Sequence, residues 1–221
     1  PCAAWPKLLH LPKITHLGKM KMEVTTEEKI LRAAREVFTR KGFAAARMQE
    51  IADVAGINKG LLHYYFRSKN KLFHSVFIEA FGQFALRINE VFAADMPLFE
   101  KIEAFVEQYM DILISNPMLP SFVINELNQK GDAFVKEILN RGSKPNFLPL
   151  IGQIQMEVQA GRIREVNPFH LVLNMLSLCA FPFIARPMFQ GIAQVDDEAY
   201  LKLMETRKRE IIDFIHNAIR V

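Results

Sequence analysis

Cysteine is almost missing from this chain. Its two cysteines, Cys2 and Cys179, are too few for a disulfide framework or a zinc cluster, and their scarcity predicts a reducing, cytoplasmic setting. Metal-ligand patterns are lacking too: the histidines at 10, 16, 63, 74, 170 and 216 form no pair at ligand spacing on one helix face. No CxxC, HExxH, phosphate loop or GxSxG occurs, so no catalytic signature exists and no enzyme, metal or cofactor is expected. Clear strand alternation is also absent. From Pro97 onward, Pro117, Pro120, Pro145, Pro149 and Pro168 instead punctuate a series of helical segments. One run, residues 168–185, carries no fixed charge. At the short limit for a bilayer and interrupted by His170, Asn174, Ser177 and Pro182, it predicts a buried helix and no membrane association.

What is present is apolar bulk and an uneven charge. The chain has 221 residues, half of them hydrophobic, enough for a small domain beside a larger one. Residues 1–72 hold 14 Lys and Arg against 6 Asp and Glu, while residues 73–221 hold 14 against 18. Clustered positive charge attracts phosphates, so the first third favours a nucleic-acid partner. Residues 1–24 read as a loose basic arm with Lys7, Lys13, Lys19 and Lys21. They are either a minor-groove arm or a remnant upstream of a natural start at Met20 or Met22.

The stretch 48–66, MQEIADVAGINKGLLHYYF, organises the rest. Met48, Ile51, Ala52 and Ala55 recur at helical spacing, Gly56 ends that helix, and Asn58 is a good N-cap for a second helix from Lys59 to about Phe66. Helix, glycine turn, helix is the unit whose second helix enters the major groove of DNA. Before it, Thr25 and Glu28 make a capping box for a helix closed by Gly42. After it, Ser68 caps a long helix from Lys69 to about Ala94, able to carry motion from one domain to the next. Lys59 and Tyr64 are the candidates for reading base edges, and Arg47, His63 and Lys69 for phosphates. Gly60 would allow close backbone approach, and Asn58, Leu61 and Ser68 complete the predicted DNA-binding set.

The runs KILRAAREVFTRKGF, IADVAGINKG and YYFRSKNKLF, in order over about fifty residues, resemble the N-terminal domain of the TetR family of bacterial transcriptional regulators. Two positions depart from that pattern: Arg47 stands where Thr or Ser usually caps the first helix of the unit, and His63 where a phosphate-contacting Tyr is usual. The resemblance implies a homodimeric, ligand-responsive regulator, a repressor, with its last two helices in a four-helix bundle across the dimer.

The predicted fold is all-α, with a DNA-binding domain at 25–72 and a ligand-binding and dimerisation domain at 73–221. Helices are predicted at about 98–115, 118–129, 132–141, 145–160, 169–189 and 196–219. Leu201, Met204, Ile211, Ile215 and Ala218 recur at near-heptad spacing and, with the uncharged helix, suit a dimer interface. Phe84, Phe105, Tyr109, Phe122, Phe147 and Phe181 are spread over helices that would enclose a cavity, and Asn125, Glu126, Gln153 and Asn174 are the polar groups that would orient a mostly apolar or aromatic effector. The partners expected are therefore a pseudo-palindromic double-stranded operator, a small molecule and a second copy. The alternative is a helical small-molecule-binding protein or enzyme without DNA-binding activity.

Overall fold

Capping decides where the first helices begin and end. In the computed structural model, which describes residues 25–140 and 144–221, helix α1 spans Thr26–Ala45. The basic arm at 1–24 lies outside the described residues. The predicted capping box is present: Glu28 N donates to Thr25 Oγ1 at 3.2 Å and Thr25 N to Glu28 Oε2 at 2.8 Å. Gly42, at φ 73°, breaks the regular helix, and one further turn follows to Ala45. Helix α2 (Met48–Ala55) ends at Gly56 in the left-handed conformation. Helix α3 (Lys59–Tyr65) opens on Asn58, whose Oδ1 accepts from Leu61 N at 2.8 Å. Helix α4 (Lys69–Ala93) opens on Ser68, whose Oγ accepts from Lys71 N at 3.2 Å. Ile30, Val37, Ile51, Leu62, Leu72 and Phe73 are buried together, so α1–α3 and the first turns of α4 share one core.

Seven more helices follow: α5 (Leu98–Ser115), α6 (Leu119–Lys130), α7 (Asp132–Asn140), α8 (Leu148–Gln159), α9 (Pro168–Ile184), α10 (Arg186–Ala193) and α11 (Asp197–Ile219). Among the described residues there is no strand, only an isolated antiparallel bridge between Ile163 and Arg220. α5 is the axle of this part, packed against α4, α8, α9 and α11. Its Ile102, Phe105, Val106 and Met110 face Phe92, Ile154, Met175 and Ile215 in the largest core. A smaller cluster of Phe77, Ala80, Leu119 and Phe134 joins α4 to α6 and α7. The two ends of the molecule also touch directly: Met118 and Phe122 pack on the first core, Thr39 Oγ1 donates to Ser115 O at 3.3 Å, and Arg35 pairs with Glu79 at 2.9 Å.

Two expectations are corrected. The helix expected at 169–189 is two helices, α9 and α10, bent by 66°. Pro187 lacks the N–H that Phe183 O would need, and its ring crowds that carbonyl, so the chain turns at Ala185. Pro182, inside α9, similarly deprives Leu178 O of a donor. α11 supplies replacements: Arg207 donates to Leu178 O at 3.3 Å and the buried Tyr200 hydroxyl to Pro182 O at 2.9 Å. The second correction concerns the heptad-like residues of α11. Met204, Ile211 and Ile215 are buried in their own protomer's core, and the outward stripe is a different one, with Phe169, Leu173 and Phe181 on α9 and Leu203 and Phe214 on α11. Among the described residues no single helix is long and apolar enough to cross a membrane.

Candidate nucleic-acid interface and effector cavity

Leu62, fully buried, and Phe66 anchor α3 to the first core and turn its other face outward. On that outward face Lys59, Gly60, Leu61 and His63 are exposed, and Tyr64 is 80% exposed with its ring edge-on to Tyr65. Asn58 and Ser68 occupy the two helix N-termini beside them as caps. Gly60 has a local reason to be glycine: a Cβ there would meet Asn58 Oδ1 at 3.2 Å, the atom that caps α3. Arg47 stands at the N-cap of α2 without a capping side-chain bond, leaving its guanidinium outside. Arg40 and Lys41, by contrast, are tied to Glu50, both at 2.8 Å, and these cations hold the Glu50 carboxyl below the usual carboxylate range.

Lys69 is the residue the structure reassigns. Its ammonium donates to Phe43 O at 2.8 Å, Ala44 O at 3.0 Å and Ala46 O at 3.1 Å, and sits 4.6 Å from the centre of the Phe43 ring. All three donors are thus spent on the carbonyls that end α1, not aimed at a phosphate. The reason is electrostatic: a cation in the first turn of α4 faces the wrong end of its own helix dipole, and the negative end of α1 is within reach.

A cavity of about 380 Å³ lies farther along α4. Phe77, Ala80, Phe81 and Phe84 of α4 form one wall, and Tyr109, Ile112 and Leu113 of α5, Val123 of α6, Leu139 of α7, Phe147 at the N-cap of α8 and Leu176 of α9 form the others. Asn89 holds the segment before α8 over it, donating to Lys144 O at 2.9 Å and accepting from Asn146 N at 2.7 Å. Of the sequence-predicted ligand residues, Phe84, Tyr109 and Phe147 line this space. The others do not. Phe105 is buried behind Tyr109, stacked on Phe92. Phe122 packs among Phe73, Phe77 and Phe134, between the cores. Phe181 is 53% exposed and Asn174 is exposed on the outer face of α9. Asn125 is exposed and accepts from Gln129, Glu126 pairs with Lys130 at 2.6 Å, and Gln153 donates to Met96 O at 2.9 Å to fasten α8 to the α4–α5 turn. Among the described lining residues, Tyr109 is left as the polar side chain. Burial pushes its phenol well above the ordinary tyrosine value, with a further upward push from Cys179, so it is a neutral hydroxyl.

Comparison with known proteins adds the kinship. The family model described as bacterial regulatory proteins, tetR family, matches residues 30–76, which hold α2, α3 and most of α1. A second model, tetracyclin repressor-like, C-terminal domain, matches residues 99–215, more than half of the chain. The chain belongs to the TetR family. It is accordingly a DNA-binding transcriptional regulator with an N-terminal helix-turn-helix. The fatty acid metabolism regulator protein of Bacillus subtilis is 26% identical over 71% of this chain and 80% of its own length. The transcriptional repressor NicS of Pseudomonas putida is 26% identical over 77% and 82%. Among solved structures, FadR of B. subtilis in complex with stearoyl-CoA shares the fold at a TM-score of 0.54, with 22% identity over 83% of this chain and 96% of that one. In this TetR-family chain the cavity residues that sequence reasoning missed, Phe77 and Phe81 above all, did carry a signal: Phe77, Phe81 and Phe84 recur on one face of α4.

Proposed function

We propose that this regulator is a homodimeric repressor, released from a pseudo-palindromic operator by a mostly apolar small molecule that enters the cavity beside α4. One observation carries the reading. Phe77, Ala80, Phe81 and Phe84 line the cavity from the same helix whose Leu72, Phe73 and Val76 belong to the core of the helix-turn-helix unit. Residues 25–72 act as the DNA-binding domain and residues 73–221 as the effector and dimerisation domain. Lys59 and Tyr64 read base edges, with Leu61 beside them, while Arg47, Asn58, His63 and Ser68 hold phosphates and Gly60 keeps the backbone close. The protein works by binding, without catalysis.

The outward apolar stripe of α9 and α11 supports a dimer in which two recognition helices meet successive major grooves about 34 to 36 Å apart. An effector that prefers another tilt of α4 misplaces that spacing. Coupling of about 1 to 3 kcal/mol lowers DNA affinity by roughly 5- to 150-fold, and DNA weakens the effector by the same factor. The apolar lining of the cavity, and a relative that regulates fatty acid metabolism, support an aromatic or lipid-like ligand.

The test is a mobility shift with the promoter region beside the protein's own gene, with and without a compound found by thermal-shift screening. A specific shift reversed by the compound is the expected result. A chain that binds the compound but shifts no DNA is a carrier, and the proposal falls.

A further inference from the structure

Among the described residues that line it, the cavity has no cation and no carboxylate. The Tyr109 hydroxyl is the polar side-chain group among these described lining residues, and it has no hydrogen-bond partner among the described residues. Phe84 lies 4.8 Å from the Tyr109 ring and Phe105 5.6 Å, so the ring is clamped and the hydroxyl held in place. The titratable group that acts on it is the Cys179 thiol, pushed up to about 12 by burial and therefore neutral. The guanidinium nearest in effect, Arg207, acts on Cys179 but lies outside the lining and is turned to Leu178 O. An anion placed against this lining would lose part of its hydration and meet no countercharge among the described lining residues, a cost the apolar contacts do not return. A neutral acceptor placed against Tyr109 loses one water and gains one hydrogen bond.

Resting on the effector reading above, we propose that the part of the ligand buried in this cavity is uncharged, and that it presents a single hydrogen-bond acceptor, a carbonyl or ether oxygen, to the Tyr109 hydroxyl. Tyr109 is the specificity-determining residue. It distinguishes a ketone, ester or lactone from a hydrocarbon of the same shape, and a described lining without a cation sets all of these apart from a free carboxylate.

The experiment is displacement of the neutral fluorescent probe N-phenyl-1-naphthylamine by three ligands on one ring system: 2-acetylnaphthalene, its apolar twin 2-ethylnaphthalene, and 2-naphthoate at pH 8. In the wild type the ketone competes at least as well as the hydrocarbon, and the carboxylate at least about 10-fold worse. In Tyr109→Phe the carbonyl is left buried and unpaired, so the ratio of ketone to hydrocarbon affinity falls roughly 5- to 100-fold, while the hydrocarbon alone stays within about twofold. Naphthoate competing as well as the ketone, or a ratio that Tyr109→Phe leaves unchanged, overturns the inference, as does a failure of the probe and all three ligands to bind. A Tyr109-dependent preference in a protein whose DNA affinity ignores the ligands leaves this inference standing and removes the regulatory reading instead.

Discussion

Replacing Lys69 by Met keeps a stem over Phe43 and removes the ammonium. Three carbonyls, at 43, 44 and 46, then lose their donor, two of them in part-buried positions. A hydrogen bond to a charged group has a net worth of about 1.5 to 3 kcal/mol, but three that share one ammonium do not add, and the exposed Ala44 carbonyl recovers water. The expected loss is about 2 to 3 kcal/mol. For a chain of this size each kcal/mol lowers Tm by about 2 to 4 °C, so the variant should melt about 4 to 12 °C lower by circular dichroism. Well below that melting temperature its affinity for random DNA should show an unchanged salt dependence. The contrary result is specific. An unchanged Tm, with the slope of log affinity against log salt reduced by about 0.9 per protomer, would mean that the ammonium leaves α1 for a phosphate when DNA arrives.

Tyr64→Ala should leave stability unchanged, since the ring is solvent-exposed, and should lose about 1 to 3 kcal/mol of discrimination at one or two base pairs of a selected operator. Equal weakening on random DNA would move Tyr64 from base reading to phosphate positioning. The double substitution Leu173→Glu and Phe214→Glu puts carboxylates on the outward stripe of α9 and α11, and sedimentation at micromolar concentration should then report a folded monomer; a variant that stays dimeric places the interface elsewhere. Arg207→Met should cost about 1 to 3 kcal/mol by orphaning Leu178 O, and clearly less in a Pro182→Ala background, where residue 182 regains the N–H that bonds that carbonyl. Additive losses in urea titrations would refute that account of the bend.

Local rules carried much of residues 25–70 because several helix boundaries there are made by the residue in place or by a partner a few positions away. Thr25 with Glu28, Gly56, Asn58 and Ser68 cap their helices as their side chains dictate. Periodicity likewise located α4 and α11 each to within a residue. It failed where the deciding partner is remote in sequence. Nothing near Lys69 says that its ammonium will fold back onto Phe43, twenty-six residues earlier. The polar residues Asn125, Glu126 and Gln153 looked available for a ligand, yet helical neighbours and the α4–α5 turn take them. On α11 a heptad-like pattern reports only that one face is apolar; whether the facing helix belongs to the same protomer depends on α5, which the pattern does not contain.

The corner between α9 and α10 has a consequence for the order in which the molecule is made. The carbonyls of Leu178 and Pro182 are satisfied by Arg207 and Tyr200, side chains translated eighteen or more residues later. At about 5 to 20 residues per second the helix-turn-helix unit, whose buried core residues end at Val76, has several seconds of emergence behind it before those two donors leave the ribosome. During that interval α9 exists as an apolar segment with a proline break and nothing to seal it. A chaperone that holds nascent chains should therefore occupy residues 168–193, and a nascent chain arrested before Tyr200 has emerged should carry a DNA-binding head that is already folded above an effector domain that is not.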